Sequence, residues 1–263
     1  MNQTPWPGGE ILRDITRGGL AGLVVGIVVA GFGGRLVMRL AALVVPSANG
    51  AFTENGNRIG EITFVGSVAL IIFAGLAASI FLAVVWVAIS PWLPGRGVVR
   101  GLVAMPIAIA FGAVALINAG NSDFVVLRHD PVVVAMLLAL VAATAPAMAV
   151  ADGWFDRRLP HAGSVASPAG IVYVVLSVIG LALGSVLVMQ AIVGQQLQPF
   201  GVTVLVTVLV AGLLTLGWWA QRLSGAATPP RGLRIAGRTI LVVGTSLGFA
   251  ALAPELAGAL GLG

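Results

Sequence analysis

"GGLAGLVVGIVVAGFGGRLVMRLAALVV", residues 18–45, decides the class of fold. Apart from Arg35 and Arg39, every side chain in it is apolar or absent. At about 1.5 Å per residue, a helix of this length exceeds the roughly 30 Å hydrocarbon core of a bilayer. Gly18, Gly22, Gly26, Ala30 and Gly34 fall four apart, a small-residue stripe along one helical face. Such a stripe lets a second helix backbone approach closely inside a membrane. Ser67, Gly75, Ser79 and Ala83 lie on a comparable row further along the chain, as do Gly180 with Gly184 and Gly244 with Gly248. Two readings of these faces stand side by side: tight packing within one bundle, or docking of a membrane partner or a second copy of the chain.

Composition carries the first stretch to the whole chain. Of 263 residues, 59% are hydrophobic and 9% charged, against about 25% charged in an ordinary soluble domain. Mean hydropathy is +1.06. A chain so poor in polar groups is expected to be an integral membrane protein. Seven apolar windows are long enough to span: about 19–45, 64–89, 101–119, 131–151, 169–193, 202–220 and 239–262. Turn chemistry separates them, with Pro46 and Asn49-Gly50 after the first, Pro91, Pro94 and Gly95 after the second, and "NAGNSD" after the third. The runs lack the alternation of a β-barrel. The expected fold is an all-α bundle of seven transmembrane helices, a single polytopic domain over residues 1–263. The first window is too long for a signal peptide and contains two Arg, so it is read as a retained helix.

Charge sets the expected orientation. The chain has no Lys, and ten of its fourteen Arg lie on one side of the seven-span scheme: Arg13, Arg17, Arg96, Arg100, Arg157, Arg158, Arg222, Arg231, Arg234 and Arg238. With Glu10, Asp14, Asp152 and Asp156 that side carries +6, and the other carries −1. The positive-inside rule then puts the N-terminus in the cytoplasm and the C-terminus outside. Trp86, Trp92, Trp154, Trp218 and Trp219 fall at the inner ends of the windows, where indoles anchor at headgroups. The pI of about 11.4 therefore reads as topology, and no nucleic-acid partner is expected. Arg in place of Lys, with abundant Ala, Gly and Val, points to a GC-rich prokaryotic genome and its cytoplasmic membrane.

A short internal match exists. "FGGRLVMRLA" at 32–41 resembles "LGSVLVMQAI" at 183–192, with Gly33, Leu36, Val37 and Met38 matching Gly184, Leu187, Val188 and Met189. The match suits a weak 3+1+3 parallel repeat of the kind some transporters have. Under it, Arg35 and Arg39 correspond to Val186 and Gln190.

Several chemistries are excluded. Without Cys there are no disulfides or thiolate metal sites, and with two His, both in connecting segments, a multi-His metal centre is not available. A retinal Schiff base and a GxxxxGK[ST] phosphate loop both need Lys. No pair of intramembrane Asp is present for an aspartyl protease. His129 with Asp130 and Asp123 is read as a solvated loop cluster. No enzyme activity, cofactor or metal is expected.

The polar groups that remain inside the windows gather near the outer ends: Arg35, Arg39, Asn118, Gln190, Thr203, Thr207 and Glu255. Arg is suited to oxyanions because its planar fork donates two parallel hydrogen bonds. Three readings of Arg35 and Arg39 remain open. They pair with Glu255, Glu54 or Glu61, they hold an anion such as a lipid phosphate, or they snorkel to the surface. The 46–63 connection, with "AFTENGNRI" centred on Asn55-Gly56, carries a strong two-residue turn signal. Either a small hairpin over the outer mouth, ion-paired through Glu54, Arg58 and Glu61, or a mobile loop would follow. The expected function is a transporter-like or ligand-binding membrane protein. Its site would be lined by Arg35, Arg39, Asn118, Gln190 and Glu255, with membrane lipids and an anionic small molecule or lipid as ligands. The alternative is a non-catalytic structural subunit of a larger membrane complex.

Overall fold

The computed structural model describes residues 6–53, 58–61, 64, 68, 75–113, 116–117, 121–193 and 199–262. These are helical almost throughout, with no strand among the described residues. The helices are α1 (Pro7–Val25), α2 (Gly33–Val44), α3 (Leu76–Ile89), α4 (Gly97–Gly112), the short α5 (Ser122–Val126), α6 (Pro131–Asp156), α7 (Pro168–Val193), α8 (Pro199–Leu223) and α9 (Arg231–Ala259). Proline starts α1, α6, α7 and α8, where its missing N–H would have no partner anyway. Asp130 caps α6, accepting from the Val132 and Val133 amides at 2.8 and 3.4 Å. The expectation of an all-α membrane-embedded chain holds.

Five helical segments are long and apolar enough to cross a membrane: Pro7–Val44, Pro131–Asp156, Pro168–Val186, Gly201–Leu223 and Arg231–Ala259. Leu76–Trp92 and Gly97–Gly112 form a pair bent by 113° that makes a sixth candidate if taken as one span. The first segment does not begin near residue 19, as the hydropathy window implies. It starts at Pro7 and carries Glu10, Arg13, Asp14 and Arg17 on helix. A seven-residue π-helical stretch, Gly26–Phe32, then joins α1 to α2.

The small-residue stripes meet each other. A Cβ added to Gly22 would lie 2.7 Å from the Ala83 Cβ and 2.7 Å from the Ser79 carbonyl oxygen. One added to Gly26 would lie 2.5 Å from the Ser79 amide nitrogen. The Ser79 hydroxyl sits 2.6 Å from the Gly75 carbonyl oxygen and 3.2 Å from that of Leu23, where α1 passes into the π stretch. The face at Gly18, Gly22 and Gly26 is thus occupied within the chain, by α3. A second close crossing joins α4 to α6, where a Cβ on Gly101 would come 2.5 Å from the Pro146 Cα. Prolines 106, 146 and 254 lie inside helices, which membrane bundles tolerate because neighbours re-satisfy the freed backbone groups.

Tryptophan placement corrects the sequence reading. Trp86, Trp92 and Trp218 are core residues rather than headgroup anchors, and Trp92 is only 1% exposed. Its indole N–H donates to the Ala211 carbonyl at 3.3 Å, and a Cβ on Gly237 would sit 2.3 Å from its ring. Trp92, on the turn that follows α3, therefore wedges the end of that helix against α8 and α9. Trp154 is exposed, and the Arg158 guanidinium stacks 4.1 Å from its ring centroid, as an interfacial indole would be.

The α1–α3 crossing is testable. Gly22→Leu must push the α3 backbone away and is expected to destabilise the chain by about 1–3 kcal/mol, the usual cost of overpacking. Gly19→Leu has open space within 4 Å and is expected to leave the melting temperature in detergent unchanged. Equal melting temperatures for the two variants would remove the crossing as a determinant of the fold.

Candidate functional site

Among the described residues, polar and cavity chemistry gathers in two features, one at each end of the bundle. At the end bearing the 46–61 connection, the π stretch delivers α2 with Arg35 turned inward and Arg39 outward. Arg35 is 7% exposed. Its Nε is buried without a hydrogen-bond partner, and no ion pair reaches it from any described residue. Arg39 is exposed and donates through its terminal nitrogen to the Gly60 carbonyl. It holds the connection down by a backbone contact, not by a carboxylate. Arg58 pairs locally with Glu61 at 3.1 Å and lies 5.1 Å above the Phe52 ring. Glu61 forms no bridge to Arg35.

The connection itself has the arms of a hairpin. Phe52 and Arg58 form an antiparallel bridge. Around it, the Gly50 amide donates to Ile59 and the Ile59 amide to Ala51, both at 2.9 Å. Ile59 is buried against Ala41, Ala42, Val45 and Leu127, which anchors the arms on α2. The turn residues 54–57, Glu54 among them, lie outside the described residues, as do Asn118 and the side chain of Gln190. Glu255 is half-buried on α9, just after Pro254. His129 is at a positive φ of 52°, and its Nδ1 donates to the Ala259 carbonyl at 3.1 Å. It closes the end of α9 and gathers no metal ligands; no such cluster exists among the described residues.

Below this end lies a cavity of about 630 Å³. Its walls come from α2, α3, α4 and α6, and they are nearly all apolar, Met38, Phe81, Phe111 and Leu140 among them. Its polar lining is Thr53, Asn121, Asp123 and Thr144. Arg35 follows the lining residue Gly34 and lies one turn before Met38 and Arg39 on the same helix. The nominated residues Arg35, Arg39 and Glu255 do not themselves line the cavity. The cavity is an apolar chamber, and beside it the buried Nε of Arg35 has no hydrogen-bond partner among the described residues. Sequence reading missed the chamber because its lining residues have the same types as any membrane core.

At the opposite end, charges the sequence reading counted only for orientation form one connected network. Arg17 Nε lies 2.7 Å from Asp152 Oδ1, and a terminal nitrogen of Arg17 lies 2.6 Å from Asp156 Oδ1. Arg13, buried, donates to the Leu159 carbonyl at 3.1 Å and to that of Asp156, and pairs with the Asp156 carboxylate at 3.0 Å. Arg222 of α8 pairs with Asp14 at 2.6 Å. His161 Nδ1 is 2.6 Å from Glu10 Oε1. The Nε of Arg100 on α4 is buried near this end without a hydrogen-bond partner among the described residues. The signal was present in the spacing: Glu10, Arg13, Asp14 and Arg17 share one helical face at three- and four-residue intervals, and Asp152 and Asp156 share another. Taking the first span to start at residue 19 concealed it.

The chamber ends where this network begins. Trp86, Ile89, Ala104 and Met148 line its deep end. One turn beyond Met148 on α6 is Asp152, and one turn beyond Ala104 on α4 is Arg100. No protein-family model, curated protein or solved structure matches the chain.

The two ends are expected to differ in their contribution to stability. The Arg17 and Asp152 side chains are 17% and 8% exposed, and Asp152→Asn is expected to destabilise by about 3–5 kcal/mol, as when one partner of a buried pair is removed. Glu61→Gln breaks a pair whose members are about half exposed and is expected to cost under about 1 kcal/mol. Thermal unfolding of the two variants in the same detergent separates these values.

Proposed function

We propose that the chain is a multi-pass membrane protein of transporter-like or ligand-binding type, and that its chamber takes an anionic amphiphile. That class covers an anionic lipid or a small apolar molecule carrying a carboxylate or phosphate. The observation that carries this reading is Arg35, a buried cation without a partner among the described residues, beside an apolar chamber. A buried guanidinium is costly unless paired, and a planar oxyanion is the partner its fork fits. A volume of about 630 Å³ lies within the roughly 300–1,000 Å³ of small-molecule sites. The apolar walls suit a hydrocarbon portion, and Arg35 suits the charged head. No catalytic chemistry is assigned.

The topology is part of the same reading. Leu76–Trp92 and Gly97–Gly112 serve as two spans, which gives seven with the five long segments. The N-terminus is cytoplasmic, because the Arg-rich ends lie together with the start of α1, and the 46–61 connection faces outward. The duplication of 32–41 and 183–192 accompanies this order. The membrane is the prokaryotic cytoplasmic membrane, on the strength of the Arg-for-Lys composition.

One observation favours a second reading, a structural subunit of a larger membrane complex. The membrane-spanning window of α7 is only 17% buried within the chain, and Val172, Val175, Val178 and Leu181 are exposed along it. A partner helix or lipid would cover that face.

Binding separates the two. Purified full-length chain, reconstituted with fatty acid and with anionic phospholipid in separate arms, is expected to retain one of them in native mass spectrometry. Arg35→Gln is expected to weaken retention by about tenfold or more, the equivalent of one charge-assisted hydrogen bond. Ala78→Phe, which places a ring in the chamber, is expected to abolish it. Retention unchanged in both folded variants, with a membrane protein co-purifying at fixed stoichiometry, would establish the structural-subunit reading instead.

A further inference from the structure

We infer that the ion network of α1, α6 and α8 is the closed inner gate of the chamber, so that the described conformation is one half of an alternating-access pair. This inference rests on the ligand-binding reading of the chamber. The geometry behind it is the order of layers along the bundle. The chamber reaches Thr53, Ile59 and Asn121 at one end. At the other it stops at Trp86 and Met148, both almost fully buried. Immediately beyond stand Asp152 and Arg17, 2.7 Å apart, and then the half-exposed Asp156, shared by Arg17 and Arg13 at 2.6 and 3.0 Å. Apolar side chains block the path, and the charges hold the helices bearing them together.

The network joins separate helices, which a gate requires. Arg17 ties α1 to α6, and Asp14 ties α1 to α8 through Arg222. These contacts are side-chain ion pairs near the chain's aqueous end, so they can exchange for water when the helices part. The π stretch at Gly26–Phe32 interrupts the same helix alongside the chamber, whose wall includes Ala30. π-Helical turns inside α-helices recur at functional sites. It allows the α1 end to swing while α2 stays pinned by Arg39 on the Gly60 carbonyl.

The chain has no cysteine, so single-cysteine reporters need no prior engineering. Ala108→Cys puts a thiol on the chamber wall. The full-length protein in proteoliposomes is treated with a membrane-impermeant maleimide from each side, orientation being set by protease clipping of an N-terminal tag. In the parent background the reporter is expected to label from the side of the 46–61 connection and hardly at all from the network side. Adding Asp152→Asn or the milder Asp156→Asn is expected to raise network-side labelling by about tenfold or more, as for loss of roughly 1.4 kcal/mol from the closed state. Should neither carboxylate variant fold, Arg222→Gln leaves Arg17 paired to both aspartates and carries the same readout. Network-side labelling unchanged in a folded variant, with the opposite side still reactive, overturns the gate and leaves the chamber reading standing. A reporter that labels from neither side in the parent background overturns both.

Discussion

The ion pair between Arg17 and Asp152 is the constraint on which the bundle's arrangement depends. Neither residue can be left alone in the low-dielectric surroundings of helix ends, where an unpaired charge costs several kcal/mol. Satisfying Arg17 requires α1 to lie against α6, and satisfying Asp14 requires Arg222 to arrive on α8. Arg13 then fastens the chain just after α6 by donating to the backbone at Asp156 and Leu159. Three helices distant in sequence are thereby registered at one end.

Close backbone approach supplies the complementary constraint along the helices. Inside a bilayer the hydrophobic effect does not drive helices together, because lipid tails are as apolar as leucine. Association relies on dispersion contacts, which grow as backbones near each other. Gly22 and Gly26 against Ser79 and Ala83 give α1 and α3 that proximity, and Gly101 against Pro146 does the same for α4 and α6. With these pairs drawn tight, the space enclosed by α2, α3, α4 and α6 is left as a chamber.

The two ends of the molecule use arginine differently. At the network end guanidinium groups meet carboxylates on neighbouring helices. At the other end Arg39 takes a backbone carbonyl, Arg58 takes a nearby Glu61, and Arg35 is buried with no partner among the described residues. That cation, beside an apolar chamber, is the observation on which the ligand-binding proposal rests.

The all-helical, membrane-embedded character was legible in the sequence, because the bilayer demands long apolar runs and the 18–45 stretch supplies one. The stripes at Gly18–Gly26 and Ser79–Ala83 were legible as packing faces, because only small residues permit the approach. Proline and Asp130 marked helix starts for equally local reasons. What the sequence left open was partnership. Whether the glycine face met another chain or another helix of its own, whether Arg39 sought a carboxylate or a carbonyl, and whether Trp92 lay at a headgroup or in the core all depended on distant segments. Asp152 and Arg17 are 135 positions apart, and no periodicity within either helix shows that they meet. The chamber is the plainest case, since an apolar residue facing empty space and one facing a neighbour have the same identity. Only the placement of the helices in three dimensions decides which is which.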